Sequence, residues 1–156
     1  MSIESAPIVP PQFDVPTTLR DPRFVLEPLG PQHNERDYAA WTTSIEHLRS
    51  TPGFPWGDWP HEMTLDANRG DLEEHAADFA TRRGFTYTVL DPSDGDVIGC
   101  VYIYPRRDGP GVQVRSWVRA DRADLDVPLA EGVAAWLEAG WPFEHVHYTG
   151  RPDLSR

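Results

Sequence analysis

Apolar residues along this chain switch between a strand period and a helix period, and the switches mark the elements. Residues 23–29 read as a short strand, stopped by Gly30-Pro31 before a helical pattern that begins near Asn34. There Tyr38, Trp41, Ile45 and Leu48 recur at spacings of three and four and share one face, while Glu35, Arg36, Glu46 and Arg49 fall mostly elsewhere. A second helix is expected after Thr64, a residue suited to the N-cap. Leu72, Ala76 and Phe79 form its apolar stripe, Gly70 is a candidate break, and Arg82-Arg83-Gly84 supplies cations and a terminating glycine. Three strands follow at 85–90, 96–104 and 112–118, separated by Asp91-Pro92-Ser93-Asp94-Gly95 and Asp108-Gly109-Pro110-Gly111, so an antiparallel meander is expected. Residues 127–139 return to a helical period, with Leu129, Val133, Trp136, Leu137 and Gly140 on one face, until Trp141-Pro142 ends it. A last strand at 145–148 follows that helix, which allows it to lie parallel to the strand before.

Two segments escape either period. Residues 1–22 carry prolines at 7, 10, 11, 16 and 22 and read as an extended arm, draped over or leaving a domain at 23–150 with a short tail at 151–156. Residues 51–61 form a loop rich in proline and aromatic side chains: Pro52, Phe54, Pro55, Trp56, Trp59 and Pro60.

The composition narrows the class. A chain of 156 residues, 39% hydrophobic and with six tryptophans, suffices for one folded domain. Its formal net charge of -11 repels a phosphate backbone, which argues against nucleic acid as a partner. Cys100 is the single cysteine and sits in an apolar run, so neither an internal disulfide nor a thiolate metal site is open to it. No apolar run approaches the ~18 residues of a membrane span and no signal-like N-terminus stands out, so a reducing cytoplasm is the expectation.

The element order β, α, α, β, β, β, α, β over residues 24–148 resembles the N-terminal and central parts of the GCN5-related N-acetyltransferase (GNAT) fold. The most specific match is Ser116-Trp117-Val118-Arg119-Ala120-Asp121-Arg122, a strand running into a basic loop and then a helix, as in the family's acyl-CoA segment. The resemblance implies an α/β fold with a mixed, mostly antiparallel sheet and helices on both faces. In the family this loop reads Gln/Arg-x-x-Gly-x-Gly/Ala, where glycines let backbone N–H groups reach the pyrophosphate at a helix N-terminus. Aligned on Arg122, Leu125 and Val127 stand at the glycine and small-residue positions, and Asp124 and Asp126 are placed to cap the helix themselves. Family members continue after the fifth strand with a helix and two strands, whereas residues 149–156 alone remain here. A strand edge at 145–148 would then need a cover, and a homodimer is one way to supply it.

The resemblance implies transfer of an acetyl group from acetyl-CoA to an amine of a small molecule. The alternative is a catalytically inactive relative that binds a metabolite or a protein partner. Such transfer needs a positioned thioester, a proton acceptor and donors for the oxyanion. By resemblance, Trp117 and Val118 would position the acyl arm, and Arg119, Arg122 and Ala123 the cofactor phosphates. A proton acceptor is sought among Asp58, His61, Glu62 and His33; Tyr102 and Tyr104, two apart on one strand face, offer a phenolic acid or a pocket wall. Trp56 and Trp59 offer an aromatic wall to an amine-bearing substrate. His145 and His147 share a strand face, but no third ligand lies near them in sequence, so no metal is expected.

Overall fold

The computed structural model describes residues 6–54 and 59–156. Its centre is a six-stranded sheet in which strands follow one another in chain order. The strands are β1 (Leu19–Asp21), β2 (Phe24–Pro28), β3 (Phe85–Leu90), β4 (Val97–Pro105), β5 (Val112–Val118) and β6 (Val146–Tyr148). The first five pair antiparallel, and β6 lies parallel to β5, joined by the crossover helix α4 (Asp126–Gly140). The meander and the parallel last strand match the periodicity. The strand β1 does not: it lies inside the proline-rich arm, too short to show an alternation.

Apolar residues from alternate positions of the strands build two clusters. One joins Leu26, Phe85, Tyr87, Ile103 and Val114 to Leu129, Val133 and Leu137 of α4. The other joins Cys100 and Trp117 to Ala40 and Trp41 of α1 (Asn34–Thr42), Leu48 of α2 (Ile45–Arg49) and Leu72 of α3 (Leu65–Ala80). A register shift at Val89/Leu90 lets β4 change which residues face which cluster, so that Ile98 and Cys100 lie in different ones. Gly99 sits at this bulge, where a Cβ would run into the Trp117 carbonyl oxygen.

Three helical expectations are corrected. The first helix is two helices, because the hydroxyls of Thr42 and Thr43 bond back to the carbonyls of Tyr38 and Ala39 and Ser44 leaves helical geometry. Ser44 Oγ instead accepts the Ala120 N–H at 2.9 Å, tying this break to the far end of β5. Gly70 does not interrupt α3. The ~1 kcal/mol cost of a helical glycine is outweighed by the Thr64 cap on Ala67 N at 3.0 Å and by burial of Leu72. The left-handed residue after α3 is Arg82 (φ 63), not Gly84; Gly84 is needed because the Tyr104 ring occupies the place of a side chain.

The arm is docked. Arg82 donates to the carbonyls of Pro10 and Phe13, Tyr87 donates to that of Pro16 at 2.6 Å, and Phe13 packs on Trp141. At the opposite edge Val146 and Arg156 exchange both backbone hydrogen bonds (2.9 and 2.8 Å), and the Tyr148 N–H donates to Ser155 Oγ. Part of the β6 edge is therefore paired by residues 155–156 of the same chain. No helix among the described residues is long and apolar enough to cross a membrane.

Candidate functional site

A cleft of about 620 Å³ opens between α1 and α3 on one side and β4 and β5 on the other. One face of α3, at Asn68, Asp71, Leu72, His75 and Asp78, forms its helical wall; Tyr102, Tyr104, Gln113 and Arg115 form the sheet wall. Phe54 and Trp59 close one end. Trp59 packs against Trp41, Phe54 and Trp117 at ring separations of 5.4, 5.7 and 5.8 Å, which makes it part of the core and of the cleft lining.

Two hydrogen-bonded groups give this cleft its chemistry. Asp37 of α1 is buried and accepts from Asn68 Nδ2 at 3.1 Å, while Asn68 also bonds Asn34 and receives the Trp41 indole N–H. Burial raises its carboxyl to about 6, against the opposing pull of the Asn68 hydrogen bond. His75 is the second group. Its Nδ1 lies 2.8 Å from Tyr104 Oη and 3.0 Å from Thr86 Oγ1, and Tyr104 donates its own proton to Asp78 Oδ2 at 2.8 Å. With the phenol proton committed to Asp78, Nδ1 carries the ring proton and Nε2 is left as a lone-pair acceptor. Nε2 has no hydrogen-bond partner among the described residues. Desolvation pushes this imidazole below its ordinary value, so it is neutral at pH 7.

The residues singled out in the sequence fall in several places. Tyr102 and Tyr104 both line the cleft; Tyr102 accepts the Trp117 indole N–H at 3.0 Å, and Tyr104 links His75 to Asp78. Burial, as the main cause, raises both phenols far above the ordinary tyrosine value, so both stay protonated. His61 is exposed with Nδ1 against the Glu62 carbonyl, and neither residue is among those lining the cleft. His33 is buried against Glu27 and the Gly30 N–H, away from it. Trp56 and Asp58 lie outside the described residues. His145 is exposed and His147 half-buried, and no metal-binding group forms among the described residues. Asp37, His75 and Asp78 went unremarked in the sequence; the spacing 68, 71, 72, 75, 78 on one helix face was the available signal.

β5 outruns its parallel partner β6. Pairing with β6 covers Val112, Gln113 and Val114, and the Thr149 N–H closes it on the Val114 carbonyl. The strand continues to Val118, and its alternation directs the N–H groups of Ser116 and Val118 toward the side where β6 has ended. Beyond Val118, Ala120–Leu125 form a 3₁₀ helix leading into α4. Leu125, not Asp124 or Asp126, occupies the N-cap and makes no side-chain cap bond. Asp126 is instead the first helical residue and takes a two-pronged bond from Arg151, 2.8 Å to each oxygen. Arg119 is paired with Asp96 and Asp121, and Arg122 with Asp91 at 2.7 Å. Ala123 is exposed beside them.

The fold type to which the sequence is similar implies an acyl-CoA. The arm of such a molecule finds no exposed strand edge here, because Ser116 and Val118, whose N–H groups face the side that β6 has left, are both buried. The phosphate end fits no better: Arg151 Nη2 already holds the Asp126 carboxylate at the helix N-terminus, and Arg119 and Arg122 would reach phosphates only by leaving their carboxylates.

No family model matches the sequence, and no curated protein matches it. Solved structures do. A ribosomal-protein-S5-alanine acetyltransferase from Vibrio fischeri superposes with a TM-score of 0.65 at 13% identity, over 85% of this chain and 72% of the other. The ribosomal L7/L12 alpha-N-protein acetyltransferase RimL gives 0.65 at 8% identity, over 83% and 68%. The microcin C7 self-immunity acetyltransferase MccE, solved with acetyl-CoA and AMP, gives 0.59 at 10% identity, over 80% and 66%. At such identities the likeness is one of fold, and the fold of this chain is that of the GNAT acetyltransferases.

Proposed function

We propose that this chain transfers an acyl group, acetyl in the simplest case, from acyl-CoA to an amine held in the cleft. The observation that carries the reading is the placement of His75, its Nδ1 fixed through Tyr104 to Asp78 and its Nε2 without a partner among the described residues, inside a cleft of the acetyltransferase fold. An amine is protonated at neutral pH and becomes a nucleophile only after losing that proton. Nε2 takes it, and the positive charge that forms on the ring is stabilised by Asp78 through the Tyr104 hydroxyl. Asp37 and Asp71 favour the ammonium on its way in. The aromatic end built by Phe54 and Trp59 excludes water from the reacting groups. Bound acyl-CoA supplies a thioester, which an unprotonated amine attacks with release of the free thiol.

Calorimetric titration with acetyl-CoA, followed by a thiol-release assay over a panel of primary amines, tests this. Binding below about 1 mM together with thiol release that depends on the amine is the expected result. His75→Gln should lower kcat/KM about 100-fold or more and remove the acid limb of its pH profile. Acetyl-CoA that neither binds nor is consumed with any amine sinks the proposal.

A further inference from the structure

We infer that the amine accepted by this cleft carries an anionic group as well, and that Arg115 is the anchor for that anion. The inference rests on the acyltransfer reading for the fate of the amine, but the anion site stands on its own geometry. Arg115 enters the cleft from β5 with its stem against Gly53, where a Cβ would come within 3.3 Å of Cγ. Its guanidinium carbon lies 5.0 Å from the centroid of the Phe54 ring and 5.4 Å from that of Tyr102.

Stacking satisfies the faces of a guanidinium and leaves its five N–H donors in the plane to be met by something else. Beyond the cleft, Arg119 has Asp96 and Asp121, Arg122 has Asp91, and Arg151 has Asp126. Arg115 has no carboxylate partner among the described residues, although three carboxylates line the same cleft. Asp37 is engaged with Asn68, and Asp78 with Tyr104. The α3 wall carries Asp71 and Asp78, with Arg83 just beyond the end of the helix, while the sheet wall carries Arg115, with Arg106 and Arg107 at the β4–β5 turn. A ligand with an ammonium at one end and a carboxylate or phosphoryl group at the other meets both walls. A simple cationic amine or polyamine sets a like charge against Arg115 and gains nothing there.

The two functions share one neighbour: the His75 ring centroid lies 5.6 Å from that of Tyr102 and the Arg115 guanidinium carbon 5.4 Å from it, so the two groups are close together in the cleft. The anion and the reacting nitrogen must then be separated by a short spacer, which predicts a preference for chain length.

The experiment is calorimetric titration, without acyl-CoA, of glycine, β-alanine, γ-aminobutyrate and ε-aminocaproate, of their methyl esters, and of the matching aminoalkyl phosphonates. Wild type, Arg115→Ala and Arg115→Lys are compared after their melting temperatures confirm folding. At least one free acid or phosphonate is expected to bind about 10- to 100-fold more tightly than its ester. That advantage should vanish in Arg115→Ala, be partly retained in Arg115→Lys and shrink with added salt. The relative affinity of carboxylates and phosphonates tells which anion the site is built for. Esters that bind as well as acids in wild type, an advantage that survives in folded Arg115→Ala, or no binding by any acid overturns the inference. Thiol release on the same panel separates the two readings. Acids that bind through Arg115 and are never acylated remove acyltransfer and keep the anion site; esters acylated as readily as acids do the reverse.

Discussion

Asp37 is a carboxyl that the fold holds at a cost. Its value rises from 3.8 to about 6 on folding because burial disfavours the charged form, so between those values the native state binds the extra proton. Stability contributed by that proton is present at low pH, falls as pH rises from about 4 through 6, and is absent above. Asp37→Asn keeps the shape and abolishes the charge. It should therefore gain about 1–3 kcal/mol over wild type at pH 7.5 and lose the slope below pH 6, as followed by urea denaturation at several pH values. An Asn variant less stable than wild type throughout would mean that Asn68 favours the carboxylate more than burial disfavours it. A buried carboxyl and an imidazole lining one cleft are what an amine site needs and what a core does not. Neither group was legible in the sequence. Asp37 lies off the apolar stripe of its helix, and the sequence points for a base to Asp58, His61, Glu62 and His33 instead. What placed His75 was its third neighbour, Tyr104, which reaches it from a strand 29 residues away.

Elements were legible where a pattern lasted longer than one turn. β3 and β5 fall at their predicted residues, β4 is one residue offset at each end, and α4 begins one residue early. The first helix misled because Tyr38, Trp41, Ile45 and Leu48 keep helical spacing across a break that hydroxyl back-bonding causes at Thr42 and Thr43. The N-terminus of α4 misled differently. Aspartates there suggested self-capping, but Asp126 is taken by Arg151 from beyond β6, a contact no local rule contains. That pair, with side chains 10% and 19% exposed, is shielded enough that removing one partner strands the other. Arg151→Ala and Asp126→Ala should each cost about 1–3 kcal/mol, and the double variant less than their sum, as a double-mutant cycle on denaturation midpoints would show. Additive losses would mean that the two side chains act separately.

At the scale of the whole molecule, the resemblance of residues 24–148 to the acetyltransferase fold held because element order and one strand-loop-helix passage survive where the glycines do not. What sequence could not show was how the two sheet margins are finished, because both use backbone contacts that any residue can make. On one side the arm brings Val9 and Phe13 against Trp141 and adds β1 to the sheet. On the other, Arg156 exchanges two backbone bonds with Val146, and Ser155 holds the Tyr148 N–H, so β6 presents no unpaired N–H at those positions. A strand stripped of such a cover recruits another strand, from a second molecule if need be. Removing residues 152–156 should therefore convert a monomer at micromolar concentration into a concentration-dependent dimer or larger species in sedimentation velocity. The full-length chain carrying Ser155→Ala, which loses one side-chain bond but keeps the Arg156 pairing, should stay monomeric. If the shortened chain remains a monomer, the tail is an ornament on an edge protected by its own shortness; if the intact chain is already a dimer, another surface makes it.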